Sequence, residues 1–191
     1  MNDYADIQGG ASEQVMRADL RTLDALYRRY RGPIQQFLFQ MCGSADIAEE
    51  LTQVTFVKAC AGLLSFRGEC SISSWLFRIA RNAYLDSLRR PDPRRIETDE
   101  LLAIPDATPL GDPVRAYAAA EQRSQIALAL AQLPERHRTI LLLRDAEGLA
   151  YAEIADVLEI SMAAVKVNLF RARAAFRAAY TAFERPEGEH E

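Results

Sequence analysis

The sequence predicts an all-α protein of two small helical domains joined by a flexible linker, the second domain carrying a helix-turn-helix. Three observations lead there. Apolar residues recur at threes and fours over most of the chain, the period of a helix face. Glycine is scarce, 9 among 191 residues, and no stretch alternates apolar and polar as a half-buried strand does. Between positions 91 and 113 the composition turns to proline and acid, the mark of a tether between folded units. The expected layout is a first domain over residues 12–90, a linker over 91–113 and a second domain over 114–183.

The first helix is expected from Ser12 to Met41, with Leu20, Leu23, Leu26, Tyr27, Tyr30, Ile34, Phe37, Leu38 and Met41 on its apolar stripe. Gly32-Pro33 should interrupt it, because proline lacks the amide a helix interior needs. A second helix begins near Ser44 or Asp46, either of which can cap free amides, and runs to about Leu64. The turn Ser65-Phe66-Arg67-Gly68-Glu69-Cys70 leads to a third helix, Ser71 to Arg90, stopped by Pro91-Asp92-Pro93. The linker holds six acids, with Leu101, Leu102 and Ile104 as candidates for a short docked turn.

In the second domain a helix from Val114 to Leu133 breaks at Leu133-Pro134. The next, Glu135 to Glu147, ends at Gly148, suited to a left-handed cap. A short helix from Ala152 to Leu158, a turn at Glu159-Ile160-Ser161 and a last helix from Met162 to Phe183 complete the chain.

The net charge of −4 argues against a general nucleic-acid coat, whose affinity comes from neutralised phosphates. The charge is unevenly placed. Seven arginines face three acids between Arg67 and Arg95, and Ser161 to Ala182 holds Lys166, Arg171, Arg173 and Arg177 with no acid. Two basic islands on an acidic chain suggest local DNA contact, with a partner supplying further affinity. Cys42, Cys60 and Cys70 form no C-x-x-C pair, and His137 and His190 lie far from them, so no metal or cofactor is expected. No run approaches the roughly 18 apolar residues of a membrane span, and Met1 to Gly10 lack a basic, apolar leader pattern, so a cytoplasmic chain without membrane insertion is expected.

Two helices joined by a tight turn, the second basic, read as a helix-turn-helix. Ser161 sits where an N-cap hydroxyl begins the second helix. At about 100° per residue, Val165, Leu169, Ala172 and Phe176 make the buried seam. Ala163, Val167, Phe170, Arg171 and Ala174 lie opposite, with Lys166 and Arg177 on a shoulder. Arg171 suits a guanine edge or a phosphate, and Val167 and Phe170 suit thymine methyl groups.

Two long segments carry a family resemblance. Leu149-Ala150-Tyr151-Ala152-Glu153-Ile154-Ala155-Asp156-Val157-Leu158-Glu159-Ile160-Ser161, continuing through Met162 to Arg173, resembles region four of sigma factors, as does the lead-in Leu133-Pro134-Glu135-Arg136-His137-Arg138. Asp46-Ile47-Ala48-Glu49-Glu50-Leu51-Thr52-Gln53-Val54-Thr55-Phe56-Val57-Lys58-Ala59, then Phe66-Arg67-Gly68 and Ser74-Trp75-Leu76-Phe77-Arg78-Ile79-Ala80-Arg81-Asn82, resemble region two. Both motifs, in this order and from about Leu20 to Arg177, resemble the extracytoplasmic-function class of bacterial sigma factors.

The resemblance implies a transcription initiation factor that binds core RNA polymerase and promoter DNA, with an anti-sigma protein as a further partner. It places Glu50 and Gln53 toward polymerase, with Glu49 and Phe56 nearby, while Leu51, Val54 and Ala61 pack inward. Phe66, Arg67 and Asn82, with Arg78 and Arg81 on the same helix, would melt and hold the minus-ten element. Ser71, Ser74, Arg78, Arg81, Asn82 and Leu85 share the face presented to it, and Trp75 fits core packing. Lys166, Val167, Phe170 and Arg171 would read the minus-thirty-five element, flanked by Asn168 and Arg173. The acidic linker resembles one that threads toward the polymerase active centre.

The chain departs from the family where Ala150 replaces a capping Ser, Glu159 a turn Gly, and Val167-Asn168 a Ser-Arg pair, which bears on promoter preference. Two other readings compete: a free-standing helix-turn-helix regulator, which leaves Glu50, Gln53 and the Phe66–Arg95 segment without a role, and a helical adaptor with no DNA role. An enzyme is not expected, for the sequence has no phosphate loop, metal cluster or nucleophile–base pairing.

Overall fold

The computed structural model describes residues 6–63, 65–89 and 113–184, all helix and connecting turn. The linker expected over 91–113, except for Pro113, lies outside the described residues, as does the turn expected at Leu101, Leu102 and Ile104. Helices α1 (Asp6–Cys42), α2 (Ala45–Leu63) and α3 (Ile72–Leu88) form the first half. The second half is α4 (Pro113–Ala131), α5 (Glu135–Leu141) continued by a π-helical turn at Leu142–Ala146, α6 (Tyr151–Leu158) and α7 (Met162–Glu184).

Helix α1 runs unbroken through Pro33, against the expected interruption. Gly32 and Pro33 are exposed, so the carbonyl that loses its amide partner one turn earlier faces water. Ile34, Phe37, Leu38 and Met41 just beyond are wholly buried. Burying such side chains stabilises by about 1.5–3 kcal/mol each, which together outweighs the roughly 3 kcal/mol of a mid-helix proline.

The helix starts follow local chemistry. Ser44 Oγ accepts from the Ile47 amide at 3.4 Å, and Ser71 Oγ from the Ser74 amide at 3.1 Å. Ser161 Oγ caps α7 through the Ala164 amide at 3.2 Å. Gly148 takes its expected left-handed conformation, φ 72°.

The two halves do not sit apart. One apolar core runs from Phe37, Leu38, Leu76 and Phe77 through Leu130, Ile140 and Leu143 to Ile154, Val165 and Leu169. The two expected helical domains thus pack on one another through this shared core. The Arg138 guanidinium adds a polar clasp: Nε donates to the Leu130 carbonyl at 2.9 Å, Nη2 to those of Ala131 at 2.6 Å and Leu133 at 3.3 Å, and Nη1 to that of Met41 at 2.9 Å. One guanidinium thus serves carbonyls at the ends of both α1 and α4, where helical amides run out, the Leu130 carbonyl also accepting from the Leu133 amide at 3.1 Å.

Candidate nucleic-acid interface

The helix-turn-helix is α6 and α7, and its seam matches the sequence reading. Val165, Leu169 and Ala172 are buried and Phe176 is half-buried, stacked on Tyr180 with ring centroids 5.8 Å apart. Ala163, Lys166, Val167, Phe170, Arg171 and Ala174 all lie on the exposed side of α7. Phe170 is 72 % exposed and Val167 50 %, both flanked by cations. The two expected flanking residues are held by the protein itself. Asn168 is half-buried and its amide Nδ2 donates to the Ala164 carbonyl at 2.8 Å. Arg173 makes a two-pronged contact with Asp145, Nη2 to Oδ1 at 2.6 Å and Nε to Oδ2 at 3.2 Å, which raises its pKa further above the usual guanidinium value.

The turn between α6 and α7 bends at Glu159, which takes φ 54° without being glycine. With Ala150 in the N-cap position of α6, the cap hydroxyl is missing, and Glu153 supplies the other half: its Oε2 accepts from the Ala150 amide at 2.9 Å.

In the first half the structure divides the five expected minus-ten residues among three places. Phe66 and Arg67 line a cleft of about 230 Å³ with Ser65, Glu69, Cys70, Trp75 and Arg78. The Phe66 and Trp75 ring centroids lie 5.0 Å apart, so half-buried Trp75 both joins the core and forms a cleft wall. Asn82 lies in a second cleft of about 350 Å³, beside Lys58, Ile79, Leu85, Asp86 and Arg89.

Arg81 turns instead to the second half, and Arg78, while lining the first cleft, also approaches it. Arg81 Nε stands 3.3 Å from Glu135 Oε1, with only 19 % of its side chain exposed, and Arg78 Nη1 stands 3.9 Å from Glu159 Oε1. Ser71 and Ser73 donate to Glu153 Oε1 at 2.6 and 3.1 Å. These hydroxyls and the Ala150 amide hold the Glu153 carboxyl below its ordinary value of 4.5. Ser74, expected on an outward face, is buried.

On α2, Glu49, Glu50 and Gln53 are exposed, and Glu49 Oε1 stands 3.7 Å from Arg31 Nη2. Phe56 is not on that surface: it is 7 % exposed, with its ring against Tyr27 at 4.9 Å. Val54 and Ala61, expected inside, are exposed, as is Val57 at 69 %. Apolar residues occur all round α2, so the period alone does not say which of them faces the core. Sequence reading also missed Arg138. The signal for it was a helix ending before Leu133-Pro134, whose last carbonyls need donors from elsewhere. Among the described residues no helix is long and apolar enough to cross a membrane.

The model of sigma-70 region 2 matches residues 26–94 and that of sigma-70 region 4 matches residues 123–176. The chain is 34 % identical over 170 residues to the RNA polymerase sigma-H factor of Pseudomonas aeruginosa, covering 85 % of this chain and 88 % of that one. It is 30 % identical over 170 residues to the ECF RNA polymerase sigma-E factor of Salmonella typhimurium, with the same coverage. Two solved structures share the fold: CnrH in complex with the cytosolic domain of CnrY, with a TM-score of 0.61 at 24 % identity over 85 % of this chain and 90 % of that one, and the sigma factor RpoE in complex with the anti-sigma factor NepR from Bartonella quintana, with a TM-score of 0.64 at 20 % identity over 84 % of this chain and 98 % of that one. With both sigma regions matched in order along one helical chain, and relatives of nearly the same extent, this protein belongs to the extracytoplasmic-function sigma factors of the sigma-70 family, promoter-specific initiation factors that bind core RNA polymerase and promoter DNA.

Proposed function

We propose that the chain divides promoter recognition between its halves, with α7 reading the minus-thirty-five element and the region around α3 opening the minus-ten element. The outer face of α7 carries this reading: Lys166, Val167, Phe170 and Arg171 are exposed together on a helix segment, residues 161–183, without an acid. A cationic helix with small residues at Ala163 and Ala174 fits a major groove closely. Asn168 and Arg173 support this surface from its flanks.

For the minus-ten strand, Phe66 and Trp75 offer flat walls for unstacked bases, while Arg67, Arg78, Arg81 and Asn82 offer donors to backbone and base edges. Polymerase docks on α2 through Glu49, Glu50 and Gln53, with Val54 and Val57 adding apolar area at the centre of the patch. Phe56 supports this helix from below. The protein acts by binding alone, in the cytoplasm where polymerase works. The similar fold of RpoE, solved in complex with the anti-sigma factor NepR, supports an anti-sigma partner for this chain as well.

In-vitro transcription with core polymerase on a randomised promoter pool tests the scheme. Arg171→Ala is expected to weaken use of the upstream element about 10-fold or more, the range for one bidentate base contact. Gln53→Ala with Val57→Asp is expected to lower affinity for core polymerase while leaving the fold intact. Tight, sequence-specific binding by the chain without polymerase would favour a free-standing regulator instead.

A further inference from the structure

We propose that packing of the two halves withholds strand capture alone: the closed chain meets polymerase and upstream duplex, and promoter opening waits until the halves part. The inference rests on the division of labour proposed above, and adds the order in which the surfaces come into use.

The three surfaces fare differently in the closed chain. On α2, Glu49, Glu50, Gln53, Val54 and Val57 are exposed. On α7, Lys166, Val167, Phe170 and Arg171 are exposed as well. Helix α3 is instead covered along one side by α6 and the start of α5. Arg81 keeps 19 % of its side chain exposed, and Ser74 is buried. Three carboxylates form the covering side: Glu135 lies 3.3 Å from Arg81, Glu159 lies 3.9 Å from Arg78, and Glu153 accepts from Ser71 and Ser73.

Holding a single strand takes cations for its backbone beside flat groups for its bases. The closed chain keeps the Phe66 and Trp75 walls, with Arg67, around their cleft, and sets carboxylates beside the neighbouring cations. A phosphate that reached Arg81 or Arg78 would sit near that cation's carboxylate partner, inside the screening length of about 10 Å. Closure therefore leaves the base pocket and takes the backbone donors.

Reach adds an independent constraint. Helix α6 packs on both α3 and α7, so α3 and α7 stand two interaxial steps apart, roughly 20 Å. The minus-ten and minus-thirty-five elements lie about 25 base pairs apart, or about 85 Å of duplex. A closed chain thus engages one element at a time, and the exposed one of its two DNA surfaces is α7. The halves can part without separating, because the chain from Arg89 to Pro113 spans about 80 Å when extended.

The test fixes the halves together and then frees them in the same full-length molecule. Ser73→Cys and Glu153→Cys, in a chain carrying Cys42→Ser, Cys60→Ser and Cys70→Ser, are joined by a short bis-maleimide whose spacer a reductant cleaves. Linked and cleaved chains are compared, so the substitutions themselves cancel. The linked chain is expected to bind core polymerase, and at low salt an upstream-element duplex, as tightly as the cleaved one. Its affinity for a single-stranded minus-ten oligonucleotide is expected to be about tenfold lower, the effect of carboxylates set against phosphates. Its holoenzyme should leave promoter thymines unreactive to permanganate until the spacer is cut. Equal thymine reactivity before and after cleavage overturns the inference. So does a linked chain that loses polymerase or the upstream duplex, since closure would then mask every surface. A check without cysteines is Glu135→Gln with Glu159→Gln, expected to speed promoter opening severalfold at the same polymerase affinity; no change in opening counts against the inference. If Arg78→Ala with Asn82→Ala leaves opening by the cleaved chain unchanged, the assignment of strand capture to α3 fails, and the inference with it.

Discussion

Glu153 holds two helix starts at once: its Oε1 accepts from the Ser71 hydroxyl at 2.6 Å across the halves of the molecule, and its Oε2 accepts from the Ala150 amide at 2.9 Å within its own helix. Ser71 in turn caps α3 by accepting from the Ser74 amide. One carboxylate thus replaces the hydroxyl that Ala150 lacks and ties the recognition half to the first half.

Because these partners favour the ionised form, the Glu153 carboxyl is held below 4.5 in the folded chain. Its contribution is therefore present above the unfolded value and lost as pH falls through the folded one. Glu153→Ala is expected to destabilise by about 1–2 kcal/mol at neutral pH, the worth of a cap and a charge-assisted hydrogen bond. The gap between the denaturation midpoints of the two proteins should narrow as pH falls below 4.5. A gap that widens on acidification would contradict the assignment.

Glu159 pays for its left-handed backbone, φ 54°, with little return from an exposed pair to Arg78 at 3.9 Å. Glu159→Gly is expected to stabilise by about 1 kcal/mol, or roughly 2–4 °C in thermal midpoint. Calorimetry on the two chains decides it.

Arg138 bonds four carbonyls from a half-buried position, where desolvation lowers its pKa while leaving it charged. A lysine cannot reproduce that fork, since its donors radiate from a point. Arg138→Lys is expected to lose about 2–3 kcal/mol, and Arg138→Met at least as much, by leaving buried carbonyls without donors. Urea denaturation that finds Lys equivalent to Arg would overturn the clasp.

Arg78 and Arg81 stand near carboxylates of the second half, so in the closed chain those carboxylates compete with a DNA strand for them. Replacing Glu135, Glu153 and Glu159 by glutamine is expected to raise affinity for a single-stranded minus-ten oligonucleotide severalfold. Fluorescence anisotropy at low salt measures this, with Arg78→Ala in the same background reversing the gain.

Promoter affinity should fall steeply with salt, since each neutralised phosphate contributes a slope of about −0.9 in log–log form. Lys166→Ala is expected to reduce the slope by about one if that lysine meets a phosphate. Filter binding from 50 to 200 mM salt shows the difference (approximate limits for such a titration).

The helix-turn-helix was legible because Val165, Leu169 and Ala172 recur at the helix period while Lys166 and Arg171 mark the opposite face as the outer one. Ser44 and Ser161 were legible for a local reason, a hydroxyl at the point where amides lack partners. Helix α2 was not, since adjacent Phe56 and Val57 are both apolar, and only the neighbour Tyr27 settles which is buried. Pro33 misled for the converse reason. Its penalty is local and visible, while the burial of Ile34 and Phe37 that outweighs it comes from contacts with other helices.

The amino-acid order alone determined the helical class, the helix-turn-helix and the two sigma regions, because periodicity, caps and turn chemistry act within a few residues of themselves. Tertiary structure decided that the halves close on each other, that Arg138 clasps two helix ends and that Arg78 and Arg81 meet Glu159 and Glu135. Each of those outcomes includes a contact between groups more than fifty positions apart, and the energy of such a pair depends on distance and burial that no local pattern encodes.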